Sequence, residues 1–100
     1  MPTHSRKLLV VICEAAIEKA VVDDVHSMGA AGYTIAEVRG EGRGGVREGA
    51  WEADRSIEVK VICEAAVAER LAQHLLATWG KHYAMTLYLS DVTVLRPEKF

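Results

Sequence analysis

Apolar positions along the chain fall into two matching sets, fifty residues apart. Val11-Ile12-Cys13-Glu14-Ala15-Ala16 recurs unchanged as Val61-Ile62-Cys63-Glu64-Ala65-Ala66. Identity at a fixed offset marks an internal repeat. The match continues, with Ile17, Val21 and Val25 answered by Val67, Leu71 and Leu75. Their i, i+4, i+8 spacing gives each segment one apolar helical face. Glu14 and Glu64 fall where the helices begin, a place that favours carboxylates. Helices are therefore predicted over 15–28 and 65–79, stopped by Gly29 and Gly32 and by Gly80. The unbroken apolar run over 8–13 predicts a central strand. The alternation in Ile57-Glu58-Val59-Lys60-Val61 predicts another. Residues 33–39 form the second strand and Met85, Leu87 and Leu89 mark the last. The alternation slips near Asp91, which predicts a bulge.

Each half thus reads strand, helix, strand. Two such right-handed units interleave as a ferredoxin-like α+β fold, with a four-stranded antiparallel sheet and both helices on one face. One domain spans 1–100. Cys13 and Cys63 occupy equivalent strand ends. In the ferredoxin-like order strands one and three are read as parallel neighbours, which brings the two thiols close, as buried small hydrophobes or as a redox-sensing pair. The first strand is apolar on both sides, so the sheet face without helices is expected to be covered by other subunits. Trp79 ends the second helix on its apolar face and belongs to the core.

Composition narrows the function. Half of the 100 residues are hydrophobic, a quarter are charged, and the net charge is −2. No dominant basic face is available for nucleic acid. The apolar stretch over 8–12 is too short for a signal-peptide core or a membrane span, which predicts a cytoplasmic protein. Two cysteines do not make a secreted disulfide framework. His4, His26, His74 and His82 lack metal-ligand spacing, and no catalytic triad or carboxylate pair stands out.

The segment from Gly40 to Arg55 exceeds what the minimal fold needs, and long loops are usually functional or mobile. It holds five glycines, which let the backbone approach a ligand closely. Arg43, Arg47 and Arg55 offer forked donors to phosphate or carboxylate. Glu41, Glu48, Glu52 and Asp54 balance the four arginines counted from Arg39. The loop is therefore not a polycation; it suits one small anion or a flexible mixed-charge arm, and the plain alternative is a solvated loop with no ligand. The strand-to-helix phosphate loop and the dinucleotide fingerprint are excluded, because this loop precedes a strand. Trp51 reads equally as a partner anchor or as a side chain folded back on its own domain.

Gly32-Tyr33-Thr34 followed by Glu37-Val38-Arg39-Gly40-Glu41-Gly42-Arg43 resembles the segment leading into the T-loop of PII signalling proteins. Gly40-x-Gly42-x-x-x-Val46-Arg47 and Tyr83-Ala84 resemble the PII-like branch tied to inorganic-carbon uptake and carboxysomes. The resemblance covers essentially the whole chain. It implies a non-enzymatic homotrimer with nucleotide sites in the clefts between subunits. Gly40, Glu41 and Gly42 would form the loop base against an adenine nucleotide. Thr34 and Val61 would line its base, while Arg43 and Arg47 would face phosphates. Arg43, Arg47 and Arg55 would hold a second small anion. Arg96, placed in the last strand, matches a phosphate-contacting arginine.

Departures from the family pattern shift the expected ligands. The second glycine-rich loop is shortened to Gly80-Lys81-His82-Tyr83, with Lys81 standing in for the phosphate-binding lysine and His82 beside it. Gly44 replaces the glutamine used for 2-oxoglutarate, and the loop has no tyrosine to modify. The resemblance then implies ADP or AMP rather than ATP, bicarbonate as second ligand, and an unidentified target such as a transporter or carboxysome-related protein. A dimeric α+β barrel enzyme and a metal-tolerance type trimer are the other readings of the same fold.

Overall fold

The computed structural model describes residues 1–42 and 55–100, together with the backbone of 45–47. Strand β1 spans His4–Glu14 and is followed by a 3₁₀ turn, Ala15–Ile17, and helix α1, Glu18–Ser27. Strand β2 is Thr34–Val38, and a short ribbon pairs β3, Gly40–Gly42, with β4, Gly45–Arg47. Strand β5 is Ser56–Cys63, helix α2 is Ala65–Trp79 and strand β6 is Met85–Val94. The main sheet has the order β2-β5-β1-β6 with every pairing antiparallel. This is the expected ferredoxin-like arrangement, with two β-α-β units interleaved.

Both repeats bury the face that their spacing predicts. Ile17, Val21 and Val25 from the first, and Leu71 and Leu75 from the second, are enclosed with Leu9, Val11, Cys13, Ile57, Val59 and Val61. Val67 is only partly buried, and Ala68 fills the position against the sheet. The small Ala68 side chain lets that turn of α2 sit close to the strands. Trp79 packs against this core as expected, and its indole Nε1–H donates to Asp24 Oδ2 at 3.0 Å. His74 Nε2 lies 3.3 Å from the same oxygen, so one carboxylate joins α1 to two points on α2. Gly29 ends α1 with φ +97°, a left-handed conformation that costs a side chain energy.

Three expectations change. The first helix does not begin as an α-helix at Ala15. Its first turn is 3₁₀, with the Ala15 N–H donating to the Arg55 carbonyl at 2.8 Å. The matching Glu64 instead starts a regular α-turn, its carbonyl accepting from the Ala68 N–H at 3.0 Å. The bulge near Asp91 is absent, since β6 pairs with β1 in unbroken register from His4↔Val94 to Cys13↔Met85. Its alternation fades because Asp91, although on the helix-side parity, is exposed to solvent on the edge strand and meets Lys7 at 2.6 Å.

The third change concerns the thiols. Strands β1 and β5 are antiparallel, which sets Cys13 opposite Ile57 and Cys63 opposite Lys7. Six residue steps, about 20 Å at ~3.3 Å per residue, separate them along the strands. A pair within one chain is thereby ruled out, because bridging needs Cα atoms within about 7 Å. Burial also pushes the Cys63 thiol above its ordinary pKa, with Glu64 adding to the shift.

Candidate functional site

Strand register decides which predicted residues share an end of the sheet. Glu14 and Val38 both stand opposite Ser56, and Cys13 stands opposite Met85. The ends of β1 and β2 therefore meet the starts of β5 and β6. Three features project from this end: the Gly40–Gly42 strand, Arg55, and the turn over 80–84 that carries Lys81 and His82. Arg96 lies at the other end, past the His4↔Val94 pair. Nine residue steps, about 30 Å, separate the two ends along β1. One chain alone cannot bring Lys81 and Arg96 to the same phosphate.

At the loop end the geometry is specific. Arg55 forms an ion pair with Glu37 of β2 and is about one-third exposed. Its carbonyl accepts the Ala15 N–H. Glu14 Oε2 accepts the Ala84 N–H at 2.8 Å, which ties the 80–84 turn to the end of β1. Gly80 makes that turn close to α2, where a Cβ would stand 2.5 Å from the Leu76 carbonyl oxygen. The turn then leaves Lys81 and His82 exposed, with the His82 N–H donating to the Trp79 carbonyl at 3.1 Å.

Thr34, Gly40, Glu41 and Gly42 are exposed and open to a ligand. Arg43, Gly44 and Trp51 lie outside the described residues, and only the backbone of Arg47 is described. Two site expectations are corrected. The Val61 side chain is fully enclosed on the helix side of the sheet, so only its backbone is left to face a nucleotide base. Its residue parity puts it in the core, while Lys60 and Ile62 face the open side. Arg96 is not in the last strand. That strand ends at Val94, and Arg96 precedes a 3₁₀ turn, Pro97–Lys99, with its Nε–H donating to Glu98 Oε1 at 3.2 Å.

A shallow pocket beside the loop end is lined by Ala15, Ala16, Lys19, Val22, Tyr33 and Arg55, with Glu18 at its side. Its cations are already engaged, Lys19 by Asp23 at 3.0 Å and Arg55 by Glu37. Sequence reasoning gives Glu14 only a helix-dipole role and misses its bond to Ala84. The available signal is that Glu14 and Glu64 are identical while only Glu14 ends a strand beside the loop base.

Exposed glycine backbone, an anchored arginine and a lysine-bearing turn give this end of the sheet donors of the kind that suit an anion. A sequence model of the family "Nitrogen regulatory protein P-II" matches residues 6–99. The chain belongs to the P-II family. Among solved structures, it resembles a PII-like signalling protein from Thermus thermophilus at 37% identity and a TM-score of 0.86, covering 100% of this chain and 99% of that one. CPII from Thiomonas intermedia bound to ADP and bicarbonate matches at 25% identity and a TM-score of 0.87, covering 99% and 97%. CPII bound to ADP, AMP and bicarbonate matches at 26% identity and a TM-score of 0.87, covering 99% and 96%. No curated protein matches this chain significantly. Among the described residues no helix is long and apolar enough to cross a membrane.

Proposed function

We propose that this chain is a non-enzymatic PII-like regulator that binds ADP or AMP, with bicarbonate as its second ligand, in clefts between the subunits of a homotrimer. The observation that carries this reading is the whole-length likeness to CPII, a protein bound to ADP, AMP and bicarbonate. The split of the site residues supports the inter-subunit part. Lys81 with Gly40–Gly42 projects from one end of the sheet and Arg96 from the other, so a common phosphate needs both ends, from two copies.

In this reading the Gly40–Gly42 backbone and Glu41 border the nucleotide, Thr34 faces the base, and Lys81 and Arg96 meet the phosphates. Arg43 and Arg47 extend the cationic side toward phosphate and bicarbonate, with Arg55 at the loop base. Bound ligand favours one conformation of the loop over 40–55 only by its differential affinity for that conformation. The loop then offers or withdraws a surface for a target in carbon or energy regulation. The family match ranks this above a barrel enzyme of the same fold.

Arg96→Ala and Arg43→Ala should each weaken ADP binding about tenfold or more, since a charge-assisted contact to phosphate contributes roughly 1.5–3 kcal/mol. Calorimetric titration of each variant, with mass confirming an intact assembly, reads this directly. Unchanged affinity in both would contradict the site assignment.

A further inference from the structure

We propose that Glu14 is a positioning residue that links the nucleotide-facing turn over 80–84 to the base of the loop over 40–55. The inference rests on the proposed nucleotide site but is carried by two hydrogen bonds from adjacent residues. Glu14 Oε2 accepts the Ala84 N–H at 2.8 Å, and the Ala15 N–H donates to the Arg55 carbonyl at 2.8 Å. Two consecutive residues thus hold one loop by a side chain and the other by backbone. Arg55 passes the connection on through its ion pair with Glu37, three residues before Gly40.

The repeat supplies an internal comparison. Glu64 has the same neighbours in sequence and the same extended backbone, ψ 150° against 138° at Glu14. It is exposed and starts a regular α-turn. Only the first copy departs, opening as a 3₁₀ turn with its carboxylate directed to another segment. The helix start thus differs from its repeat partner at the place where it touches both loops. A movement of the Lys81 turn on ligand contact therefore pulls on Glu14, and through Ala15 on Arg55. Coupling of this kind travels along a contiguous chain of bonded groups.

Hydrogen exchange read by mass spectrometry on the full-length protein tests the link without any ligand. Glu14→Ala should speed exchange several-fold in the 80–84 turn and also in peptides covering 37–42 and 55–57. Glu14→Gln, which keeps an acceptor oxygen, should restore most of the protection. Glu64→Ala should change neither region. With ADP as the probe, Glu14→Ala should raise the dissociation constant by up to about tenfold, the upper limit if the whole of one charge-assisted hydrogen bond is lost to ordering the turn. Faster exchange confined to 80–84, or protection in Glu14→Ala equal to that of the parent protein, would overturn the inference. If the parent protein binds no adenine nucleotide while the exchange pattern holds, the proposed function fails and the link stands.

Discussion

Leu8→Asp should convert the assembled protein into monomers. Leu8 lies on the face of the sheet opposite the helices, between Ile62 of β5 and Ser90 of β6, and is partly buried. Ile12, Ile62 and Val92 share that face at intermediate exposure, and Tyr88 is half exposed. Val10, on the same face between Lys60 and Tyr88, is already enclosed within the single chain, while its apolar neighbours stay partly open. A contiguous apolar sheet face marks an interaction site, and in the proposed homotrimer it is the surface that meets other subunits. Assembly of the variant would bury an unpaired carboxylate, at a cost of several kcal/mol. Within one chain the Asp stays in water beside Ser90, so each subunit keeps its fold. Sedimentation equilibrium should report a monomer mass with unchanged circular dichroism. Leu76→Asp, a similar change at a half-exposed position on the outer side of α2, should leave the mass of the assembly unchanged. An intact assembly for Leu8→Asp would place the subunit interface elsewhere.

Leu71→Ala carries the largest stability cost. Leu71 is fully buried where α2 meets the sheet, in one cluster with Leu9, Val59 and Val61. Truncating the side chain loses the transfer free energy of the removed atoms and leaves a cavity the neighbours cannot fill. Together these terms cost about 3 kcal/mol, within a range of roughly 2–5. Total stability for a domain is typically about 5–15 kcal/mol, so the loss is a large fraction. The effect should also pass to the site, because Gly80, Lys81 and the Ala84 N–H follow directly from the end of this helix. Chemical denaturation should show the midpoint falling with an unchanged slope. A loss below about 1 kcal/mol would mean that α2 does not pack through Leu71.

The fold is readable because the repeat states its pattern twice. The apolar spacing of Ile17, Val21 and Val25 needs only helix geometry to be placed against Leu9 and Val11. Alternation marks the strands for the same reason, since parity alone sorts Val59 and Val61 to one face and Lys60 to the other. The same parity turns the Val61 side chain into the core, so a place beside the nucleotide base, which the family resemblance implies, would fall to its backbone. Strand direction is harder. Whether Cys13 and Cys63 meet depends on how β1 and β5 run relative to each other, which no local pattern records. The end of β6 misleads because β6 is an edge strand, and Asp91 there is exposed to solvent and paired with Lys7 rather than packed in the core.

Within the site, the residues that recognise an anion are legible by type, since a long loop rich in glycine and arginine pairs close backbone approach with forked cationic donors. Long-range partners are not legible. The Glu37–Arg55 pair spans the whole loop, and Glu14 meets Ala84 across 70 residues. Such contacts are fixed by register and by how tightly Gly80 turns, both properties of the folded chain.

The measurement that tests the central claim most directly is calorimetric titration of ADP into the purified protein, with and without bicarbonate. Binding that tightens when bicarbonate is present is the predicted result, because both ligands then favour the same ordered loop. By linkage, bicarbonate must tighten by the same factor in the presence of ADP. Absence of heat with ADP and AMP, in either buffer and at concentrations well above the protein, would contradict the account of this chain as a nucleotide-binding PII-like regulator.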